Sequence, residues 1–310
     1  MLIKNADDKS EDLGILRRLL ELQLTSRQRS LVEREIRCIE SGLRGEKNSA
    51  YFLEFELKES GNWAIIHDLR IVHEGFTAQI DHLLINRFLE IYVLESKNYY
   101  FGIKITPEGE FLVWNGKTYE AIESPLEQNR RHVQLLEKVI KQFRIAPTRL
   151  GIPIPITFHN YVLVAPGSRV DRPAMKKFDT SVVVKADAFV TTIKKRYDFP
   201  SPDMVIASLA KVVSAETLES FARALAFKHK KGGIDYPAKF GITLPSARSP
   251  AQAPLERSSK KHSVGESTCA KCKTIVDAKV VYYCRLKKDR FGGKVLCRTC
   301  QQEAWASYRG

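Results

Sequence analysis

Hydrophobic and polar positions change their spacing several times along the 310-residue chain. Residues 11–58 follow a helical period, with Leu16 and Leu19 on one stripe, and Thr25 or Ser26 is a candidate N-cap for a second helix. After the Gly-Asn pair at 61–62 the period becomes that of β-strands. The predicted strands are 63–72, 79–86, 89–96, 101–106 and 110–114.

Helices and strands alternate in the next part of the chain. Residues 124–143 form a predicted amphipathic helix, with Ser124 as N-cap and Pro125 at its first position. Strands are predicted at 160–165 and 181–185, and helices at 186–196 and 203–227. Short hydrophobic strands between helices predict an α/β fold, with a central mixed sheet flanked by helices.

Composition divides the chain into four parts. Residues 231–266 are rich in Gly, Pro and Ser, which is typical of a flexible linker. We therefore predict an N-terminal helical segment (1–40), an α/β domain (41–230), the linker (231–266) and a cysteine-rich module (267–310).

Three charged residues interrupt the most strand-like region. Asp81, Glu95 and Lys97 lie in apolar segments, where an unpartnered charge costs several kcal/mol. If residues 87–89 form a three-residue turn, paired positions add up to 176, so Asp81 faces Glu95 and all three charges share one face. A two-residue turn would instead place Asp81 opposite Leu94, and no Gly or Asn within the turn fixes its type.

Two carboxylates this close repel each other unless a cation lies between them. Mg²⁺ binds one or two carboxylates, keeps several waters and can also bind a substrate phosphate. Lys97 could orient the attacking water or neutralise charge in the transition state. Asp81, Glu95 and Lys97 thus suit Mg²⁺-dependent (or Mn²⁺-dependent) hydrolysis of a phosphodiester. The alternative, a structural ion pair of Lys97 with Asp81 or Glu95, stays open.

Residues 41–165 resemble the nuclease-related domain (NERD) family, which is similar to the PD-(D/E)xK, restriction-endonuclease-like phosphodiesterases. The resemblance lies in "GEKNSA" (45–50), "QIDHLLI" (79–85), "YVLESKNYYFG" (92–102), "VWNG" (113–116) and "SPLEQNRRHVQLL" (124–136). It implies a restriction-endonuclease-like sheet in which Asp81 and Glu95 bind Mg²⁺ and Lys97 assists the water. Ile80 stands where the wider superfamily often has Pro, a departure shared with the NERD pattern.

The resemblance also implies roles for residues outside the strands. Glu46 resembles an additional acidic residue that can complete the metal site, and Gln128 resembles a glutamine of related nucleases. His132 lies one turn after Gln128 on the same helix face. Glu46 as a first-turn helix carboxylate and His132 as a surface or packing residue remain alternatives.

Five of the six cysteines fall between positions 269 and 300. Cys269-x2-Cys272 and Cys297-x2-Cys300 predict two knuckles that bind one structural Zn²⁺, with strand-like segments between them as in a zinc ribbon. Disulfides or free thiols are the alternative. Cys284 is the surplus cysteine, which we expect to pack as a small apolar residue rather than to replace a ligand.

Charge is distributed unevenly. Residues 228–310 contain 18 Lys+Arg and 6 Asp+Glu, a net charge of +12, out of +14 for the whole chain. This predicts nucleic acid as the partner, with DNA favoured, and a zinc ribbon that binds it. A solubilising basic tail and a protein-docking ribbon are the alternatives. A nuclease-like fold without catalytic activity is the alternative function.

The sequence also suggests a location and an oligomeric state. No apolar run approaches the ~18 residues of a membrane span, and the start of the chain is polar, so we predict a cytoplasmic protein with no membrane partner. The N-terminal helices could form a homodimer.

Overall fold

The computed structural model describes residues 1–99, 101–195, 211–244, 268–287 and 291–306. The chain divides into two units, residues 1–244 and 245–310. The strands of the first unit are β1 (Leu2–Lys4), β2 (Trp63–His73), β3 (Phe76–Asn86), β4 (Glu90–Lys97), β5 (Ile103–Ile105), β6 (Phe111–Trp114), β7 (Tyr119–Ile122), β8 (Thr148–Arg149), β9 (Ile152–Pro153), β10 (Thr157–Val164), β11 (Val170–Asp171) and β12 (Val183–Lys185). Its helices are α1 (Ser10–Leu20), α2 (Ser26–Leu57), α3 (Pro125–Gln142), α4 (Phe189–Lys194), α5 (Ala215–Ala226) and α6 (Tyr236–Lys239), with a 3-10 turn at Ala186–Ala188.

A mixed sheet in the order β1-β2-β3-β4-β10-β12 forms the centre of this unit. β2, β3 and β4 are an antiparallel meander, whereas β10 runs parallel to both β4 and β12. One face of the sheet packs its apolar side chains against α3 and α5, and the other packs against α2 and α4. The predicted mixed sheet flanked by helices is therefore confirmed.

Two further sheets are small. β11-β5-β6-β7 is a four-stranded sheet, and β8-β9 is a two-stranded hairpin. The strand β7 was missed because "YEAI" carries little hydrophobic signal, and β1 was missed because it is only three residues long.

Several predicted N-caps are confirmed, and several element boundaries differ from the predicted ones. Thr25 caps α2 in a capping box, and Ser124 caps α3 with Pro125 as the first helical residue. α2 continues through residue 40, where we placed a domain boundary, because its apolar stripe continues to Leu57. The second half of the predicted helix 203–227 is α5, which begins after Ser214 as its N-cap. Residues 212–214 are not helical, and residues 203–210 lie outside the described residues.

The predicted linker is ordered in its first part. α6 lies within residues 231–244, and Tyr236 is 1% exposed because it packs with Leu16, Leu19 and Val32 of α1 and α2. This apolar contact outweighs the Gly and Pro composition of the segment. Residues 245–267 lie outside the described residues. The predicted homodimer through the N-terminal helices stays a prediction.

No helix in the described part of the chain is long and apolar enough to cross a membrane.

Candidate functional site

The turn between β3 and β4 sets the register of both strands. The side-chain Oδ1 of Asn86 accepts hydrogen bonds from the backbone amides of Phe88 and Glu90, each at 3.0 Å. Leu89 adopts a left-handed conformation with φ of 54°, and its amide donates to the Asn86 carbonyl at 3.0 Å. Asn86, the residue before the turn, thus holds the turn conformation through its side chain, although the turn itself contains no Gly or Asn.

The strand pairing has the register that the three-residue turn predicts. His82 pairs with Leu94 and Ile85 with Ile91, so paired positions add up to 176. The ladder ends at His82 and Leu94, which leaves Asp81 and Glu95 as the next residues across the gap. The Ser96 amide donates to Asp81 Oδ2 at 2.7 Å, so a carboxylate replaces a backbone carbonyl as its partner.

The alternation of side chains between the two faces of the sheet is interrupted at the same place. Ile80 and Leu83, three residues apart on β3, pack in one core, and Ile66 and Leu69 do the same on β2. Regular alternation would put residues three apart on opposite faces. The break on β2 is at Asp68, whose φ is +51°. Asp81 therefore lies where two neighbouring strands change the direction of their side chains.

Glu95 and Lys97 point toward α3. Lys97 Nζ lies 2.7 Å from Glu95 Oε1 and donates to Gln128 Oε1 at 3.3 Å. The predicted alternative of a Glu95–Lys97 ion pair is therefore present, but it satisfies only one oxygen of Glu95. The other, Oε2, is buried without a hydrogen bond.

His132 also faces this carboxylate. Its Nδ1 lies 4.0 Å from Glu95 Oε2, and the residue is 8% exposed, so it is not a surface side chain. Burial, together with the positive charges of Arg131 and Lys97, lowers the pKa of His132 to about 4. The imidazole is therefore neutral at pH 7, and it does not compensate the negative charge of Glu95.

The acidic side chains repel one another. Burial, and then the charges of Glu95 and Glu46, raise the pKa of Asp81 well above its ordinary value of 3.8. Burial also raises the pKa of Glu95, although the ion pair with Lys97 opposes this change. Burial and the charge of Asp68 raise the pKa of Glu46. Three carboxyl groups from α2, β3 and β4 thus share one region and favour a compensating cation.

Glu46 reaches this region because α2 passes very close to the end of β4. A Cβ atom added to Gly45 would lie 2.8 Å from the Cβ of Asn98, closer than side chains normally approach. Asn98 Nδ2 also donates to the Ser41 carbonyl of α2 at 3.4 Å. The Gly at position 45 therefore permits the contact that brings the neighbouring Glu46 toward the strands.

Two residues of this region were missed by sequence reasoning. Asp68 is 4% exposed, accepts hydrogen bonds from the Asp7 amide (3.1 Å) and the Gln79 side chain, and lies 3.8 Å from Lys9 Nζ. It ties the N-terminal segment to the bend in β2. Its position within a predicted strand gave no signal of a left-handed backbone.

Asn129 is the second missed residue. It is fully buried, and its Nδ2 donates to the carbonyls of Val93 (2.7 Å) and Tyr161 (3.2 Å) and to Asn160 Oδ1 (2.7 Å). These bonds join α3 to both β4 and β10. Asn129 thereby fixes the helix that carries Gln128 and His132; a lone Asn inside an amphipathic helix pattern was the available signal.

The carboxylates do not form a closed cage. Among the described residues, the four predicted cysteine ligands are the one group of three or more Cys, His, Asp or Glu side chains that converge closely enough for a single ion. The charges of Glu95 and Glu46 raise the pKa of Asp81, but the three carboxylates do not converge as closely as the cysteine sulfurs.

The second unit holds the cysteine cluster. The sulfur atoms of Cys269, Cys272, Cys297 and Cys300 all lie within 4.8 Å of one another, which fits tetrahedral thiolate ligation of Zn²⁺. Backbone hydrogen bonds from Cys272 and Cys297 lower the pKa of Cys269 to about 6, whereas burial and the neighbouring thiols raise that of Cys300 to about 12. Cys284 is outside the cluster and packs in the apolar core, as predicted.

The strands predicted between the two knuckles are wrong, although the cluster itself is compatible with a small zinc ribbon. Residues Ala278–Leu286 form a helix, α7, and Arg298–Ala306 form another, α8. The side chain of Asp277 caps α7 by accepting from the Val280 amide at 2.9 Å. Val280 and Cys284, four residues apart, then enter the same core, so capping and helical burial outweigh the strand propensity of Val and Tyr.

Comparison with known protein families gives a match that covers the acidic site of the first unit. Residues 41–165 match the family model of the nuclease-related domain (NERD). The matched segment contains Glu46, both strands of the β3–β4 hairpin and Gln128, and it ends before the cysteine cluster. No curated protein and no solved structure gives a significant match. Residues 41–165 are therefore similar to the nuclease-related domain.

Proposed function

We propose that this protein is a metal-dependent nuclease that hydrolyses phosphodiester bonds of DNA. The observation that carries the proposal is the group of acidic side chains at the splayed end of β3 and β4. Burial raises the pKa of Asp81, Glu95 and Glu46 there, and the charges of Glu95 and Glu46 raise that of Asp81 further, while Lys97 is paired with Glu95. Such a site is unfavourable unless it serves to bind a cation.

The donor set fits Mg²⁺ or Mn²⁺. All the candidate ligands are carboxylate oxygens, and Glu95 Oε2 is buried with no hydrogen bond to satisfy it. Asp81 and Glu95 would hold the ion, with Glu46 as a third ligand, directly or through water. A few protein ligands with water and phosphate completing the shell is the usual Mg²⁺ arrangement. The ion would lower the pKa of a bound water and stabilise charge on the phosphate.

Lys97 is suited to act on the attacking water and the phosphate. Its ammonium is held between Glu95 Oε1 and Gln128 Oε1, which fixes its position. Two of its three N–H groups have these partners, which leaves one donor for a water or a phosphate oxygen. Gln128 is then a positioning residue, because it acts on the substrate through Lys97.

His132 adds to the same arrangement without adding charge. A neutral imidazole 4.0 Å from Glu95 Oε2 brings no positive charge to that carboxylate, so it would not compete with a bound cation. The buried bonds of Asn129 hold α3 so that His132 and Gln128 keep their places relative to β4.

The cysteine module would also bind nucleic acid. The support is the charge of the C-terminal part of the chain, since residues 228–310, which include the module, carry +12 of the chain's +14. Zn²⁺ held by four thiolates has no open position for chemistry, so its role would be structural. Electrostatic binding of this kind predicts activity that falls steeply with salt.

The test is a substrate panel. Purified full-length protein is incubated with linear, circular and single-stranded DNA and with RNA, in the presence of Mg²⁺, Mn²⁺ or neither. We expect metal-dependent cleavage that is lost in Asp81→Asn and Lys97→Ala. Glu137→Gln, on the exposed face of the same α3 helix, is the matched control and should cleave normally.

Two results would count against the proposal. Cleavage that survives both active-site substitutions would show that the chemistry lies elsewhere or in a contaminant. Binding of nucleic acid without cleavage of any substrate would favour a nuclease-like fold that serves only in recognition.

A further inference from the structure

Strands β5, β6 and β7 of the four-stranded sheet are inserted between two segments of the candidate active site. β5 begins six residues after Lys97, and β7 ends three residues before α3, the helix of Gln128. Three large aromatic side chains of this insertion are exposed: Phe101 (57%), Trp114 (36%) and Tyr119 (42%). Burying such side chains is favourable, so a cluster of exposed ones marks a binding surface.

The "VWNG" motif (113–116) builds the hairpin that presents two of these rings. Asn115 Oδ1 accepts from the backbone amides of Lys117 and Thr118, each at 2.8 Å, and its Nδ2 donates to Glu120 at 2.6 Å. Gly116 has φ of +99°, which only Gly adopts readily. This ordered turn sets Trp114 directly across from Tyr119, with ring centroids 5.1 Å apart and edge-to-face.

The rings border a cleft of about 370 Å³. Gly102 and Ile103 line the cleft, and a Cβ on Gly102 would lie 2.6 Å from the Arg169 carbonyl, so the Gly permits β5 to pack closely on this segment. The Arg169 side chain, which pairs with Asp171 at 2.6 Å, lies at the border. Lys104 Nζ is 5.4 Å from the Tyr119 ring centroid, and Lys117 is exposed on the adjacent turn.

Both ends of the insertion are attached to elements that carry the candidate site. Tyr99, two residues after Lys97, packs in the core beneath the small sheet. Glu123, one residue after β7, forms an ion pair with Arg131, the neighbour of His132 on α3. Tyr119 and Glu123 are four residues apart, about 13 Å in an extended chain, so the aromatic cleft lies close to the start of α3.

We propose that the cleft of Trp114, Tyr119 and Phe101 stacks an unpaired base of the nucleic-acid strand that enters the active site. Aromatic faces with nearby cations are how proteins hold single-stranded nucleic acid, and a flat base can stack on one exposed ring face where a folded protein surface would need more area. The inference rests on the proposed nuclease function only for the identity of the partner as nucleic acid. It adds a preference for substrates with unpaired bases.

The test measures binding without cleavage. Full-length protein with Trp63→Phe and Trp305→Phe keeps Trp114 as its one tryptophan. It is titrated with a single-stranded oligonucleotide, a blunt duplex of the same sequence and inorganic polyphosphate, in buffer without Mg²⁺ or Mn²⁺. We expect the oligonucleotide to quench Trp114 fluorescence strongly, the duplex weakly and polyphosphate not at all.

Substitutions provide the second measurement. Trp114→Ala with Tyr119→Ala should weaken binding of the single strand by roughly tenfold and leave polyphosphate binding unchanged. Trp114→Phe should retain most of the affinity. Phe227→Ala, which removes an aromatic ring that is 85% exposed on another element, is the matched control.

The proposal fails if the single strand does not quench Trp114, or if the double substitution leaves its affinity unchanged; the latter would favour a protein partner for this surface. An equal loss for polyphosphate would also overturn it, because that loss would be electrostatic. Quenching in a protein that cleaves no substrate would support the cleft and refute the nuclease proposal, so the two can fail separately.

Discussion

The cysteine cluster and the acidic site are two solutions to holding like-charged side chains together. The four sulfurs lie within 4.8 Å of one another, a closed set that Zn²⁺ can fill completely. The three carboxylates affect one another's pKa but do not converge to the same degree. A closed ligand set stabilises a fold, whereas an open one leaves positions for water and substrate. Under the proposed function, the closed set would hold a structural metal and the open set a reactive one.

The largest expected effect comes from breaking the closed site. Cys300→Ser should abolish tight Zn²⁺ binding and unfold the small module, because zinc in comparable sites provides about 10–16 kcal/mol. Zinc content by mass spectrometry and protease sensitivity of residues 268–306 report the change. Cys38→Ser, an exposed cysteine on α2, is the matched control. Unchanged zinc content in Cys300→Ser would refute the ligand assignment.

Removing a carboxylate from the acidic site should have the opposite effect to removing a cysteine ligand: activity is lost and stability is not. Asp81→Asn removes a charge that repels Glu95 and Glu46, so the melting temperature of the metal-free protein should stay the same or rise. Cleavage should fall by at least about 10²-fold. Mg²⁺ should raise the melting temperature of the wild type but not of this variant. A marked fall in melting temperature would mean that Asp81 is a structural residue.

A steric change tests how the open site is assembled. Gly45→Ala would place a Cβ 2.8 Å from that of Asn98, so we expect a loss of about 1–3 kcal/mol in stability and a fall in activity as Glu46 shifts. Asn98→Gly removes the opposing Cβ and should rescue part of both losses when combined with Gly45→Ala. Denaturant unfolding and cleavage rates measure the effect. Additive losses in the double variant would contradict the proposed contact.

The smallest expected effect is in the pH dependence. The folded-state pKa values of Asp81 and Glu95 are raised, so the folded protein binds more protons than the unfolded chain above the ordinary values of 3.8 and 4.5. Their contribution to stability should therefore fall as the pH rises through that window. His132, with its lowered pKa, acts in the opposite sense below its ordinary value of 6.5. The difference in melting temperature between wild type and Asp81→Asn, followed from pH 4 to 8 without metal, isolates the carboxylates. A difference that does not change with pH would contradict the raised pKa values.

Local and periodic features were predictable from the sequence. The register of β3 on β4 followed from the two-residue period and the turn length, and it brought Asp81 next to Glu95. The caps at Thr25 and Ser124 followed from side chains that bind free amides at helix starts. The cysteine spacing predicted which four cysteines cluster together.

Features that depend on distant contacts were not predictable. The left-handed backbone at Asp68 is stabilised by Asp7 and Lys9, some sixty residues earlier in the chain. Asn129 acts through β4 and β10, which approach it only after the sheet has formed. In the cysteine module the run of two Val and two Tyr residues (280–283) favoured a strand, but packing of Val280 and Cys284 in one core decided for a helix.

The length of the turn at residues 87–89 sets the register of β3 against β4. It thereby sets the positions of Asp81 and Glu95, each six residues from the turn. Adding or deleting one residue there would slide β4 by one position past β3 and carry Glu95 and Lys97 to the opposite face of the sheet. No substitution of either acid is needed to destroy the site; a change in loop length is enough. Any graft or circular permutation of this domain should therefore keep Asn86 and the three residues after it as an unbroken unit.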